Sequence, residues 1–120
     1  MFGWLRSKAR RSQPEAKWEV LVEAAALTVI DDKGQSRSVA KQMLHSVAIE
    51  TNDSGPWGMD VWWLLFTEGD TLACAFPQGA TGEKVAIDYL MSLEGFENSI
   101  LIEAMGCTDN AVFRVWHSVR

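Results

Sequence analysis

The sequence predicts an α+β fold: an antiparallel sheet or half-barrel, followed by two C-terminal helices and a closing strand. Three observations predict it. Short β-branched runs separated by turn residues fill the first two-thirds of the 120 residues. After Gly79-Ala-Thr-Gly82 the hydrophobic period lengthens from two to about 3.6. A last β-branched and aromatic run, Ala111–Trp116, returns to the strand pattern. Strands grouped ahead of helices favour α+β over alternating βαβ units.

Trp18 to Ala26 fits either a strand, by its alternation of Val20 and Val22 with acids, or a helix, by its alanine run. Leu27–Ile30 is a clear strand. Asp31-Asp-Lys-Gly34 turns the chain towards a partner strand around Ser36–Val39. Val47, Ile49 and Thr51 share one face of the next strand, which Asn52-Asp-Ser-Gly-Pro56 ends. Val61–Thr67 and Thr71–Phe76, joined by Glu68-Gly69-Asp70, make a hairpin that Pro77 closes, because proline cannot donate to a ladder. The first helix follows, with Thr81 as N-cap, a stripe of Val85, Tyr89 and Leu93 flanked by Ala86, Leu90, Ile87 and Met91, and Gly95 as its stop. The second covers Asn98 to Met105, burying Leu101 and Met105, and ends at Gly106.

Residues 1–17 are expected to form a basic, flexible tail and residues 18–120 a single domain. The tail carries five basic groups and one acid; the remainder carries six basic groups and fifteen acids. A body so acidic repels nucleic acid and attracts cationic partners. The tail, with Phe2, Trp4 and Leu5 beside its arginines, is suited to a weak membrane contact. No signal-peptide pattern opens the chain, and VWWLLF is far shorter than the ~20 residues needed to cross a bilayer. Two cysteines 33 positions apart form neither a disulfide framework nor a CxxC pair, which suits a reducing, cytoplasmic setting.

The chemistry-bearing residues are sparse. Gly79-Ala-Thr-Gly-Glu-Lys84 stands between a strand and a helix but lacks the phosphate-loop spacing, and Glu83 repels an anion. His45 and His117 have no second ligand at metal spacing. Cys107 with His117, or Cys74 with His45, would need the fold to bring them together. Glu97 and Glu103 fall on different faces of a helix, as solvated carboxylates do. No catalytic residue, cofactor or metal is therefore expected. The aromatic hairpin stands out instead: Trp63 and Trp62 face opposite ways, so both faces of the strand are apolar. Trp57 and Trp62, rimmed by Asp53 and Asp60, form the candidate protein-binding site, for another protein or for self-association.

Several segments, in order, resemble a family of small uncharacterised bacterial proteins. They are Thr51-Asn-Asp-Ser-Gly-Pro56, Asp60-Val-Trp-Trp-Leu-Leu65, Pro77-Gln-Gly-Ala80, Leu93-Glu-Gly-Phe-Glu-Asn98, Ile102-Glu-Ala-Met-Gly-Cys-Thr-Asp-Asn110 and Phe113-Arg-Val-Trp116. In that family a TxDxGP…DV(F/W)W segment precedes a hairpin and a GF(D/E)N…AM.(S/C)T(D/E)NA.F..W segment closes the chain. The resemblance spans residues 27–120, and Glu94 stands where the family has proline. It implies no activity; by analogy, the strand-rich half suggests a pleckstrin-homology-like half-barrel. The shared residues suggest structural roles: Asn98 as an N-cap, and Phe113 and Trp116 on opposite faces of the last strand. The expected function is non-enzymatic protein binding. The alternative is an immunity or antitoxin protein that neutralises a basic toxin such as a nuclease.

Overall fold

A computed structural model describes residues 17–52 and 60–118, and the expectations for the tail and for Asp53 and Trp57 lie outside these. Within them the fold is α+β. Strands β1 (Glu19–Val22), β2 (Ala26–Ile30) and β3 (Ser36–Ala40) form an antiparallel meander. Strands β4 (Ser46–Asn52), β5 (Asp60–Thr67) and β6 (Thr71–Pro77) form a second, which β7 (Ala111–His117) joins beside β4, in the order β6-β5-β4-β7. Helices α1 (Glu83–Met91) and α2 (Asn98–Met105) lie between β6 and β7.

Local chemistry accounts for the turns. Trp18 to Ala26 resolves as strand β1 and a bend into β2. The Asp31 carboxylate accepts from the N–H groups of Lys33 and Gln35, each at 2.9 Å, and Gly34 takes a positive φ of 84°. β5 and β6 meet at Thr67 and Thr71 around the three residues Glu68-Gly69-Asp70. A single turn of 3-10 helix, Lys41–Met43, leads from β3 to β4, and its Lys41 ammonium sits 4.6 Å from the Tyr89 ring centroid on α1.

The sheets are tied together behind β6. The Val20 N–H donates to the Thr81 carbonyl (2.9 Å) and the Thr81 N–H to the Trp18 carbonyl (2.8 Å), so the chain entering α1 runs beside β1. There Gly82 has a φ of 86°, and a Cβ would stand 2.3 Å from the Val20 carbonyl oxygen. Gly82, not Thr81, is the N-cap of α1, with no side chain capping it, because Thr81 is taken up by β1. α1 buries Ala86 and Leu90, whereas Val85 is exposed: the core lies one residue round the helix from the expected stripe. It also ends at Met91, ahead of Gly95.

α2 has the expected bounds, but Glu97 is its N-cap, and Asn98 opens the helix. Ala104 is its fully buried residue; Leu101 is half-buried and Met105 exposed. On β7, Phe113 pairs with Ile49 and Trp116 with Val47, with a bulge between. Ile49 and Val47 share a face, so Phe113 and Trp116 do too, correcting the expectation from simple alternation. The extra residue, Val115, reverses the parity, and both Val115 and Trp116 are buried.

Candidate functional site

Of the four residues expected at a protein-binding site, Asp53 and Trp57 lie outside the described residues, and Trp62 is buried. Trp62 pairs with Glu50 on β4 and is only 3 % exposed. Trp18 covers it, edge to face, with centroids 5.2 Å apart and planes at 87°. Trp63, on the opposite face, stacks on Phe76 at 6.2 Å and 3°. Both faces of β5 are thus occupied from within the chain at the tryptophans. Trp62 packs the interior, and the surface role expected of it is corrected on that ground. Asp60 opens β5 opposite Asn52.

Nor does the fold assemble the conceivable catalytic pairs. The Thr51 hydroxyl lies 3.7 Å from Cys107 Sγ, at one end of β4, while His117 pairs with Ser46 at the other end. Five residues of strand separate them by about 16 Å. Cys74 faces the core opposite Leu65, and burial pushes its thiol up to about 11, against a smaller lowering by Arg37. A thiol so poorly ionised is a poor nucleophile. No group of three or more metal-ligating side chains occurs among the described residues. In the Gly79–Lys84 loop, the N–H groups of Ala80, Thr81 and Glu83 go to the carbonyls of Pro77, Trp18 and Ala80, and Lys84 pairs with Asp88 at 3.5 Å. These donors are committed to the fold and not held open for an anion.

What the surface does present is exposed aliphatic side chains in two places, on α2 and, on the other face of the sheet, at Val112 beside Glu50. Ile102 on α2 is 73 % exposed, Val112 on β7 is 63 % exposed, and Met105 stands beside them in sequence and exposed as well. Glu94, Glu97, Glu103 and Asp109 are exposed in the same stretch. From Val85 to Phe113 the chain carries five acids and no basic residue. α2 packs along β7, with the Glu97 N–H on the Val115 carbonyl (2.8 Å) and the Trp116 indole N–H on the Glu94 carbonyl (2.8 Å). These bonds, with Cys107 against Thr51 of β4, set α2 over one face of β7 and β4, running opposite to β7. The charge run was legible in the sequence. The exposure of Ile102 and Met105 was not, because it depends on which side of α2 meets β7.

No family model, curated protein or solved structure matches this chain. Among the described residues no helix is long and apolar enough to cross a membrane.

Proposed function

We propose that this chain is a non-enzymatic, cytoplasmic protein-binding module. Its partner is a cationic protein, received on Ile102 and Met105 and on the carboxylates of the same stretch. The observation that carries this reading is Ile102, an isoleucine 73 % exposed on a packed helix, next to Glu103. Covering such a side chain with a partner is worth roughly 1.5–3 kcal/mol. The one-signed charge around it favours encounter with a basic surface and opposes pairing of two copies of the same surface. Asp53, Trp57 and Asp60 remain candidates for contact with the same class of partner. A kinship with the small bacterial family described above belongs to this proposal as well.

Affinity capture by the full chain, compared with an Ile102→Gln, Met105→Gln double variant, tests the reading. A basic protein retained by the parent, lost with the double variant and released by ~0.5 M salt is the expected result. Identical captured sets from parent and variant would reject it.

A second reading, an immunity or antitoxin protein, is favoured by the same uninterrupted acidic run, which suits the basic active-site surface of a nuclease toxin. Co-expression with the product of the adjacent gene decides it. Growth arrest by that product, relieved by this chain, is the expected outcome, and a harmless neighbour dismisses the idea.

A further inference from the structure

β7 ends its sheet, with β4 on one side and no strand on the other among the described residues. The later half of its outer side is already taken, because the chain between α1 and α2 donates the Glu97 N–H to the Val115 carbonyl. The earlier half, Ala111-Val112-Phe113, lies beyond that contact. Edge strands are ordinarily guarded by proline, by lysine, by a bulge or by a covering helix, and α2, which reaches β4 as well as β7, lies over a face of the sheet. These three residues include neither proline nor lysine, and the bulge lies further along, at Val115. The nearest cation on the strand, Arg114, is engaged by Asp70 at 3.2 Å. The aliphatic Val112 is exposed, Glu50 is paired with it on β4, and the chain that leads from α2 into the strand carries the exposed Glu103 and Asp109.

We infer that the Ala111–Phe113 edge receives an extended, cationic segment of the partner by strand addition. This rests on the partner being a cationic protein, as proposed above, and adds the manner of its recognition. Backbone pairing sets the register, an apolar side chain packs on Val112, and lysine or arginine at the alternate positions meets Glu103 and Asp109 on the α2 side. A second copy of this chain does not fit the edge, since it would bring Asp109 and Glu103 against their like.

Amide hydrogen exchange of the full chain tests this with three short, blocked peptides: alternating lysine and valine, alternating lysine and proline, and alternating glutamate and valine. The lysine–valine peptide is expected to slow exchange from Ala111 to Phe113. The lysine–proline peptide, equal in charge but unable to pair, and the glutamate–valine peptide leave it unchanged. Val112→Lys, at an exposed position, is expected to weaken lysine–valine binding by about tenfold with the melting temperature unchanged. Equal binding of the lysine–proline peptide, or protection confined to other segments, overturns strand addition. If that happens while capture through Ile102 and Met105 persists, the partner surface stands and this edge does not. Loss of capture with the edge still protected has the opposite meaning.

Discussion

The Thr51 hydroxyl donates to the Asp109 carbonyl at 2.7 Å, joining residues 58 positions apart. Thr51 is buried on β4, and Asp109 lies in the turn that carries the chain from α2 to β7. That turn also closes on itself, with the Asp109 N–H on Cys107 Sγ at 3.4 Å. The hydroxyl thus ties the turn that follows α2 to the end of an inner strand, β4. Thr51→Val keeps the shape and removes the donor. A loss of about 1–3 kcal/mol in urea unfolding is expected, with most of it restored in Thr51→Ser. Equal stability of Thr51→Val and the parent would show that the bond contributes nothing.

Gly82 and Gly34 have nearly the same φ, 86° and 84°, but different surroundings. A Cβ at Gly34 meets nothing within 4 Å, whereas at Gly82 it meets the Val20 carbonyl at 2.3 Å. Gly34→Ala should cost about 1 kcal/mol from backbone strain alone. Gly82→Ala should cost about 3 kcal/mol or more, because β1 and the start of α1 must separate. Thermal unfolding of the two variants side by side checks the order, and similar losses would contradict it.

Trp116→Phe preserves the ring packing and deletes the indole donor to the Glu94 carbonyl. About 1 kcal/mol is the expected cost. The more specific readout is faster exchange of the Glu97 amide, whose bond to Val115 is held by the same connection.

Burial raises the Cys74 thiol from 9.0 to about 11, so the folded protein keeps a proton that the unfolded chain releases. The unfolded state then binds fewer protons between these values, and stability falls as pH rises. The contribution is fully present below pH 9 and is lost as pH approaches 11, by roughly 2–3 kcal/mol. Cys74→Ala lowers stability at neutral pH but should flatten this part of the profile. A parent whose stability is level from pH 8.5 to 10.5 would exclude the effect.

Ile102→Gln removes an exposed side chain and should change stability by less than about 0.5 kcal/mol. A larger loss in denaturant unfolding would mean that Ile102 supports the fold, and would weaken its assignment to a contact surface.

The hairpin of β5 and β6, the Asp31–Gly34 turn and the bounds of α2 could be read from the chain because their causes are local. β-branched alternation, turn residues able to take positive φ, and a helix between glycines act over a few positions. Pro77 ended β6 for the same kind of reason, a missing donor. The misses share the opposite property. Thr81 had the chemistry of an N-cap, but β1, distant in sequence, took its backbone. Phe113 and Trp116 counted as opposite by alternation, yet the bulge at Val115 turned them to one face. Trp62 was expected at a binding surface, but Trp18, distant in sequence, covers it.

By itself, then, the sequence determined the α+β class, the order of strands and helices from Leu27 onward, and the acidic run from Val85 to Phe113, since composition and short-range periodicity carry those. Tertiary structure alone decided which side chains meet water. That choice depends on long-range contacts: Trp18 covers Trp62, while the pairing of β7 with β4 and the docking of α2 bury Trp116 and leave Ile102 and Val112 outside.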